Sequence, residues 1–191
     1  PGGGLAPHFS TFASGLGDET RTKLRRMLAD GTLPPDPASA GLSCAVCGVE
    51  SEVRKVTLVK NTGMLIARTT ETVQGNLCRS CIRTKASAFT THSVFFGWWG
   101  VISFVVTIVA IPMNLIHYFG AKSLSPVPED AVAPELTPIV VERLRPLAVS
   151  MADLLARGKA PVDVCHPAAK RTGVTPGQVH LFLVALAGAK G

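Results

Sequence analysis

Four cysteines in two closely spaced pairs are the residues of this sequence best suited to chemistry. The pairs are Cys44-Ala-Val-Cys47 and Cys78-Arg-Ser-Cys81. A C-x2-C turn lets two thiolates reach one ion, and structural zinc sites take four ligands in a tetrahedron. Gly48 suits such a turn, because glycine tolerates the positive φ that the turn often needs. The spacing predicts a zinc site with the ligands Cys44, Cys47, Cys78 and Cys81.

Iron, disulfides and dithiol redox chemistry are the alternative uses of these cysteines. A rubredoxin-like iron site has the same ligands, but the chain between Cys44 and Cys81 contains no Phe, Tyr or Trp for the aromatic core that normally accompanies it. Disulfides would fit an extracytoplasmic location. A thioredoxin-like redox pair belongs in a βαβ pattern, which surrounds neither pair. Zinc is therefore the expected cofactor, and iron is the alternative.

The chain between the two pairs predicts the elements that position them. Residues 54–60 are β-branched and alternating, residues 61–63 read Asn-Thr-Gly and indicate a turn, and residues 64–73 supply a return strand. Gln74-Gly75-Asn76 then predicts a turn into the second knuckle. Knuckle, hairpin and knuckle is the layout of a zinc ribbon, which we assign to residues 42–92. A region this small buries too little apolar surface to fold alone, so a metal would supply the missing free energy.

An uncharged apolar segment follows the ribbon. No charged residue occurs from Ser93 to Ala121, and residues 94–119 would form a helix about 39 Å long. The hydrocarbon core of a bilayer is about 30 Å thick, so this segment can span it with some tilt. Aromatic residues lie near both ends, as they do at membrane interfaces. We predict a transmembrane segment at residues 93–121, with the membrane-contacting residues Phe95, Phe96, Trp98, Trp99, Phe104, Pro112 and Tyr118.

Pro112 complicates a straight span. Proline lacks a backbone N–H and clashes with the carbonyl four residues earlier, here that of Ile108, so the helix should kink or break there. A re-entrant segment that returns to the same membrane face is therefore the alternative topology. Three Lys or Arg residues lie shortly before the segment, and Lys122 alone lies shortly after it. The positive-inside rule then places the ribbon in the cytoplasm.

Short helical segments flank the ribbon and the apolar segment. Asp18 begins a helix near the N-terminus, and Thr137-Pro138 begins another after the membrane. Pro167 interrupts a further helix, and Thr175-Pro176-Gly177-Gln178 is a capping box that opens the last one. The expected fold is a small α+β protein with an N-terminal arm (1–41), the zinc ribbon (42–92), one transmembrane helix (93–121), a linker (122–134) and a helical unit (135–191).

The composition limits the possible functions. The chain has 191 residues, a formal net charge of +6, and 17% charged residues against the roughly 25% usual in soluble domains. These values exclude a large enzyme, a coiled coil and a highly charged disordered chain. The charge is +4 before the apolar segment (11 basic and 7 acidic residues) and +2 after it (8 and 6). Neither part contains a dense basic block, so the charge suits a protein beside anionic lipid and does not itself favour nucleic acid.

The central part of the sequence is similar to a group of uncharacterised bacterial membrane proteins that join a four-cysteine zinc ribbon to a GWWG-type transmembrane segment. The similarity rests on the two cysteine pairs, on residues 96–104 (FGWWGVISF), and on Pro112 with Asn114. It covers roughly residues 42–120. It implies a metal site at the four cysteines, attachment to the bacterial inner membrane, and no catalytic activity.

The expected function is that of a non-enzymatic, membrane-anchored adaptor or accessory subunit of a larger complex. The sequence has no dinucleotide, P-loop, zinc-protease or serine-hydrolase motif, and four thiolates would leave zinc no open position. The expected partners are membrane lipid and a protein of that complex, and no small-molecule substrate is indicated. One alternative is electron transfer by iron or a dithiol. The other is nucleic-acid binding, which a ribbon without stacking aromatic residues does not favour; its candidate contacts are Arg54, Lys55, Arg79 and Arg83.

Overall fold

The described part of the chain forms two compact units. A computed structural model describes residues 18–63 and 68–188. The cysteine unit contains residues 43–132, and the helical unit combines residues 18–42 with residues 133–188. The elements in chain order are α1 (Asp18–Ala29), β1 (Val53–Gly63), β2 (Arg68–Cys78), α2 (Arg79–Phe96), α3 (Val101–Gly120), α4 (Pro138–Leu144), α5 (Ala148–Ala156), α6 (Pro161–Thr172) and α7 (Pro176–Gly188). The prediction of a small α+β fold is confirmed.

The two strands form an antiparallel hairpin, as predicted. The register pairs Val53 with Cys78 at one end and Gly63 with Arg68 at the other. The predicted turn at residues 61–63 is wrong, because these residues continue β1 and their backbone pairs with β2. The return strand is described from Arg68 onward, and residues 64–67 of that prediction lie outside the described part of the chain.

The predicted turn at residues 74–76 is also wrong, since β2 runs through them to Cys78. Gly75 has a φ of +144°, and a Cβ added to it would lie 3.2 Å from the Cβ of Ala45. The Ala45 N–H donates to the Asn76 carbonyl at 2.8 Å. The glycine therefore allows the loop that carries Cys44 and Cys47, called the first cysteine loop below, to approach the strand closely. Close backbone approach is a common reason for glycine inside a strand.

The hairpin and α2 share the apolar core of the cysteine unit. Val56, Leu58 and Leu77 of the hairpin are buried with Ile82 and Phe89 of α2. Both α2 and α3 pack against β1. This core is small.

The apolar segment is divided between two helices. The chain leaves α2 at Phe96, turns through residues 97–100, and enters α3 at Val101, so the two helices pack against each other. The break therefore falls at the GWWG sequence. Of the kink or break expected at Pro112, the break is wrong, because α3 continues through this residue to Gly120. A proline removes one hydrogen bond of the helix, and the packing of α3 on α2 and β1 holds the remainder in place.

The helical unit joins the two ends of the described chain. Helix α1 packs against α5 and α7, so the predicted N-terminal arm contributes a helix to the C-terminal core. The sequence pattern does not show this contact, since it joins segments more than a hundred residues apart. The buried core includes Leu24, Met27, Leu144, Met151, Leu155, Phe182, Leu183 and Leu186.

The caps of the helical unit agree with the sequence prediction. Thr137 caps α4, where its hydroxyl accepts from the Val140 N–H at 3.4 Å. In the capping box, the Thr175 N–H donates to Gln178 Oε1 at 3.0 Å, and the Gln178 N–H donates to Thr175 Oγ1 at 3.3 Å. The interruption expected at Pro167 is wrong, because α6 runs from Pro161 to Thr172.

Candidate functional site

The four cysteines of the two pairs come together in one cluster. Their Sγ atoms all lie within 4.8 Å of one another, and those of Cys47 and Cys78 are 3.9 Å apart. A tetrahedral ion with metal–sulfur bonds of about 2.3 Å requires sulfurs roughly 3.8 Å apart. The cluster therefore fits one metal ion with four thiolate ligands. The geometry and ligand chemistry are common to zinc and iron.

The first pair lies in the tight loop that its spacing predicts. The Gly48 N–H donates to the Cys44 carbonyl at 2.8 Å, and the Cys44 N–H donates to the Val49 carbonyl at 3.0 Å. Gly48 has a φ of +73°, which confirms the expected need for glycine. Cys44 is buried, whereas Cys47 is exposed at the surface of the loop.

The second pair occupies the start of a helix rather than a second knuckle. Cys78 is the N-cap of α2, and its sulfur accepts from the Cys81 N–H at 3.5 Å. This explains why no glycine follows Cys81, since a helix continues there instead of a turn. The positive end of the helix dipole also stabilises thiolates at this position.

The surroundings of the cluster favour a thiolate at Cys44. Burial raises the pKa of the Cys44 thiol, but N–H groups of Cys47, Cys78 and Val46 donate to its sulfur and bring the pKa to about 7. Burial, together with the neighbouring sulfurs, raises the pKa of Cys81. A bound cation would reverse that effect, because a thiol that coordinates a metal loses its proton.

Helix α3 turns its polar side chains inward. Ser103, Thr107 and Asn114 are buried with Ala110 in a stripe that packs on β1. The Asn61 amide of β1 donates to the Ser103 carbonyl at 3.1 Å and to Thr107 Oγ1 at 3.0 Å. These hydrogen bonds join β1 to α3 through polar groups. The exposed apolar residues of α3 lie on its outward side.

The outward face of α3 is almost entirely apolar. Val101 is 86% exposed, Ile102 70% and Ile116 69%. The predicted membrane residues Phe95, Phe96, Trp98, Trp99 and Phe104 are also exposed, and they lie at or beside the turn between α2 and α3. We call this surface the apolar face; its members are Val94, Phe95, Phe96, Trp98, Trp99, Val101, Ile102, Phe104, Val105, Ile108, Val109, Leu115, Ile116 and Phe119.

The last two predicted membrane residues lie differently. Pro112 is exposed on α3. Tyr118 is half-buried, and its hydroxyl accepts from Arg83 Nη2 at 3.2 Å.

Among the described residues, one helical segment, Val101–Ser123, is long and apolar enough to cross a membrane. The prediction of one such helix is therefore confirmed, with a shorter range than expected.

The two glycines of the GWWG sequence shape the turn between the helices. A Cβ at Gly97 would overlap Thr107 Oγ1 and the Ser93 carbonyl, so α2 and α3 approach each other closely there. Gly100 has a φ of +135°, which side chains rarely allow. Trp98 and Trp99 between them are exposed.

Sequence reasoning missed the buried polar residues that attach α3 to the hairpin. These residues are Asn61, Ser103, Thr107 and Asn114. Ser93 joins α2 to the same strand, because its hydroxyl accepts from the Asn61 N–H at 3.1 Å. A signal was present: Ser103, Thr107 and Asn114 recur at helical spacing within an otherwise apolar segment.

The basic residues named for nucleic-acid binding partly contact their own chain. Arg54 donates to the Gly120 carbonyl at 2.9 Å, and Arg79 donates to the Leu124 carbonyl at 3.1 Å. Lys55 is exposed on β1. These contacts place Arg54 and Arg79 at the end of α3 that lies away from the GWWG turn.

Comparison with known proteins finds no matching protein-family model, no matching curated protein and no matching solved structure. The similarity to GWWG-type membrane proteins therefore stays a prediction. The function has to be argued from the cysteine cluster and the apolar face.

Proposed function

We propose that this protein is a non-catalytic, metal-stabilised adaptor that attaches to one side of a membrane through its apolar face. The observation that carries the proposal is the reversed polarity of α3, whose amide and hydroxyl side chains are buried while its aliphatic and aromatic side chains are exposed. A helix of a soluble protein normally has the opposite arrangement. Contiguous exposed apolar surface of this kind marks a membrane or protein contact.

Lipid is the occupant that best fits the apolar face. Its tryptophans and phenylalanines are concentrated at the α2–α3 turn, and aromatic residues of this kind favour the membrane interface. The opposite end of α3 carries basic groups, including Arg54 and Lys122. Apolar side chains in the acyl region with cations near the phosphates are typical of proteins that bind a membrane surface.

The hairpin favours attachment to one side over a complete span. β1 lies along the whole of α3, since Arg54 reaches the Gly120 carbonyl and Gly63 lies against Ser103 near the other end. A spanning α3 would carry the Lys60–Glu71 ion pair, with an N–O distance of 2.8 Å, into the hydrocarbon core. It would also expose the open edge of a hairpin to lipid, where backbone groups find no hydrogen-bond partner.

The cysteine cluster would have a structural role in this account. When bound there, zinc would supply folding free energy by linking the first cysteine loop to the start of α2. Cys44, Cys47, Cys78 and Cys81 would fill its coordination sphere and leave no position for a substrate. The cluster would therefore hold the hairpin against α2, from which α3 and the apolar face are positioned.

The adaptor role is assigned to the surfaces that remain free after attachment. The helical unit has its own core and its own caps, so it can present a folded surface to a protein of a larger complex.

Isolation from a membrane fraction in mild detergent, followed by metal analysis, tests metal binding and membrane attachment together. We expect one zinc ion per chain, and a chain that stays in the soluble fraction without metal would contradict the proposal. A visible absorbance band would instead identify iron and favour electron transfer.

Attachment to one side can be tested by cysteine labelling. Thr70→Cys lies in β2 opposite Asn61, near the α2–α3 turn. Val132→Cys lies beside Glu50, toward the Gly120 end of α3, and both positions are exposed. Sealed membrane vesicles of one orientation are treated with a membrane-impermeant maleimide. We expect both positions to react from the same side. Labelling from opposite sides would show a span and contradict attachment to one side.

A further inference from the structure

A basic cleft lies beside the apolar face in the cysteine unit. It has a volume of about 600 Å³ and lies between the first half of α2, the end of α3 and the segment that follows it. Two arginines and several hydroxyl groups line it, and none of the described lining residues is acidic. The lining residues are Arg79, Ser80, Arg83, Thr84, Ser87, Tyr118, Pro126 and Val127.

The two guanidinium groups are held in place by neutral partners. Arg79 Nη1 donates to the Leu124 carbonyl at 3.1 Å. Arg83 Nη2 donates to the Tyr118 hydroxyl at 3.2 Å, and the Arg83 guanidinium carbon lies 5.3 Å from the centre of the Tyr118 ring. A guanidinium has five N–H donors, so each keeps most of them for a ligand. Among the described residues, neither arginine forms a salt bridge.

Hydroxyl groups lie beside the two arginines in the cleft. Arg79 and Arg83 are one helical turn apart on α2, and Ser80 and Thr84 repeat this spacing beside them. Guanidinium groups bind phosphate oxygens through paired N–H bonds, and hydroxyl groups can donate to the same oxygens. The absence of an acid from the described lining leaves the positive charge available to an anion.

The cleft is continuous with the apolar face. The Tyr118 ring, which lines the cleft, meets the Phe119 ring edge-on at a centroid distance of 5.4 Å. Phe119 is 56% exposed on the apolar face, and the Lys122 ammonium lies 5.3 Å from the centre of its ring. A ligand with a phosphate in the cleft could therefore place an apolar tail along α3.

We infer that the cleft binds the phosphate headgroup of an anionic phospholipid whose acyl chains lie along the apolar face. This inference rests on the proposed membrane attachment and adds a lipid preference to it. The cleft supplies the charge recognition, and the apolar face supplies the affinity that does not depend on the headgroup.

Vesicle flotation at fixed ionic strength tests the inference. The zinc-loaded full chain is mixed with phosphatidylcholine vesicles, with or without phosphatidylglycerol. We expect roughly tenfold tighter binding to the anionic vesicles. Arg79→Gln/Arg83→Gln should lose most of this preference and still bind both vesicle types. Arg157→Gln/Arg171→Gln removes the same charge from exposed positions of the helical unit and should keep the preference.

A variant that keeps the charge of the cleft distinguishes a specific phosphate site from non-specific electrostatic attraction to the vesicle surface. Ser80→Ala/Thr84→Val removes two hydroxyl groups from the cleft without changing the charge. We expect a two- to fivefold loss of the anionic preference, roughly the loss of one hydrogen bond. An unchanged preference in either cleft variant would overturn the inference while leaving membrane attachment intact. A wild-type chain that binds neither vesicle type would contradict the proposed function itself.

Free inorganic phosphate is the alternative ligand for the two arginines of the cleft. Calorimetry with inorganic phosphate, without vesicles, distinguishes the two sources. We expect no heat of binding at millimolar phosphate, because the lipid tail contributes most of the affinity. Tight phosphate binding that Arg79→Gln/Arg83→Gln abolishes would assign the cleft to a soluble anion and overturn the lipid assignment.

Discussion

The side-chain amide of Asn114 in α3 pairs with the backbone of Val59 in β1. Asn114 Oδ1 accepts from the Val59 N–H at 3.0 Å, and Nδ2 donates to the Val59 carbonyl at 2.7 Å. β2 pairs with the other edge of β1. One helical side chain thus provides the two hydrogen bonds that a third strand would supply, and it covers an edge that would otherwise attract other strands.

Replacing Asn114 should weaken this attachment. Asn114→Ala removes both hydrogen bonds and leaves the Val59 N–H and carbonyl without their partner, so we expect a loss of about 2 kcal/mol in the free energy of unfolding. Denaturant unfolding of the metal-loaded protein measures it. Ile116→Ala, at an exposed position two residues away, is the control and should change stability by less than about 0.5 kcal/mol. Equal effects of the two substitutions would show that the pairing is not a source of stability.

Gly97 should not tolerate a larger side chain. A methyl group there would overlap Thr107 Oγ1 and the Ser93 carbonyl and force α2 away from α3. Its φ of −81° suits any residue, so the effect is steric alone. We expect Gly97→Ala to reduce the free energy of unfolding by about 1–3 kcal/mol. Gly188→Ala meets nothing within 4 Å and should be neutral, and a neutral Gly97→Ala would contradict the close packing of the helices.

The sequence predicts the cysteine cluster well because its chemistry is local. Two C-x2-C spacings specify two pairs of ligands, and the alternating residues between them indicate the hairpin, although the Asn-Thr-Gly signal misplaces its turn. The same spacing is compatible with a knuckle and with a helix start, so it does not predict the helix that Cys78 caps. The residues after Cys81 distinguish the two, because a pair that lacks a glycine and precedes a run of helix-compatible residues indicates a helix start.

The spacing of Ser103, Thr107 and Asn114 indicates a polar side of α3, but the sequence does not show what would bury this side of α3. Its average composition is apolar, so length alone favoured a membrane span over residues 93–121. The choice depends on tertiary contacts: Asn61 and Val59 of the hairpin bind Thr107 and Asn114, and this directs the apolar residues outward. Likewise, no local pattern could place α1 in the core of the C-terminal helices, since that contact joins distant parts of the chain.

Metal binding should require the clustered cysteines and not the fifth one. Cys78→Ser removes a ligand at the start of α2, so we expect well under one metal ion per chain and unfolding of the cysteine unit. Cys165→Ser changes a buried cysteine of the helical unit and should leave the metal content unchanged. Elemental analysis after gel filtration measures both. Full metal occupancy in Cys78→Ser would contradict the four-thiolate site.

The stability of the helical unit should fall in mild acid because of His180. This side chain is fully buried, and neither ring nitrogen has a hydrogen-bond partner among the described residues. Burial lowers the pKa of His180 from 6.5 to about 4, and the charge of Asp36 only partly opposes this. The unfolded chain therefore takes up a proton first as the pH falls.

This order of protonation sets the sign of the pH dependence. The contribution of neutral His180 is fully present above about pH 6.5 and is lost progressively between pH 6.5 and about 4, on the order of 3 kcal/mol in total. Unfolding of His180→Leu should show a shallower acid dependence than the wild type over this range. His166→Gln alters an exposed histidine and should behave like the wild type. Parallel curves for the wild type and His180→Leu would contradict the assignment.

The central claim is that the apolar face enters a membrane, and intrinsic tryptophan fluorescence tests it directly. Both tryptophans of the chain, Trp98 and Trp99, lie in the α2–α3 turn, so their emission reports this turn alone. The matched variants are Val101→Glu on the apolar face, where the valine is 86% exposed, and Val132→Glu outside it, where the valine is 72% exposed. Each variant adds the same charge at an exposed valine, so neither should disturb the core.

We expect anionic vesicles to shift the wild-type emission to shorter wavelength and brominated lipids to quench it. Val132→Glu should behave like the wild type, whereas Val101→Glu should weaken vesicle binding by at least roughly tenfold, because a charge near the acyl region is costly. Emission that vesicles leave unchanged, or equal binding by the two variants, would contradict attachment through the apolar face.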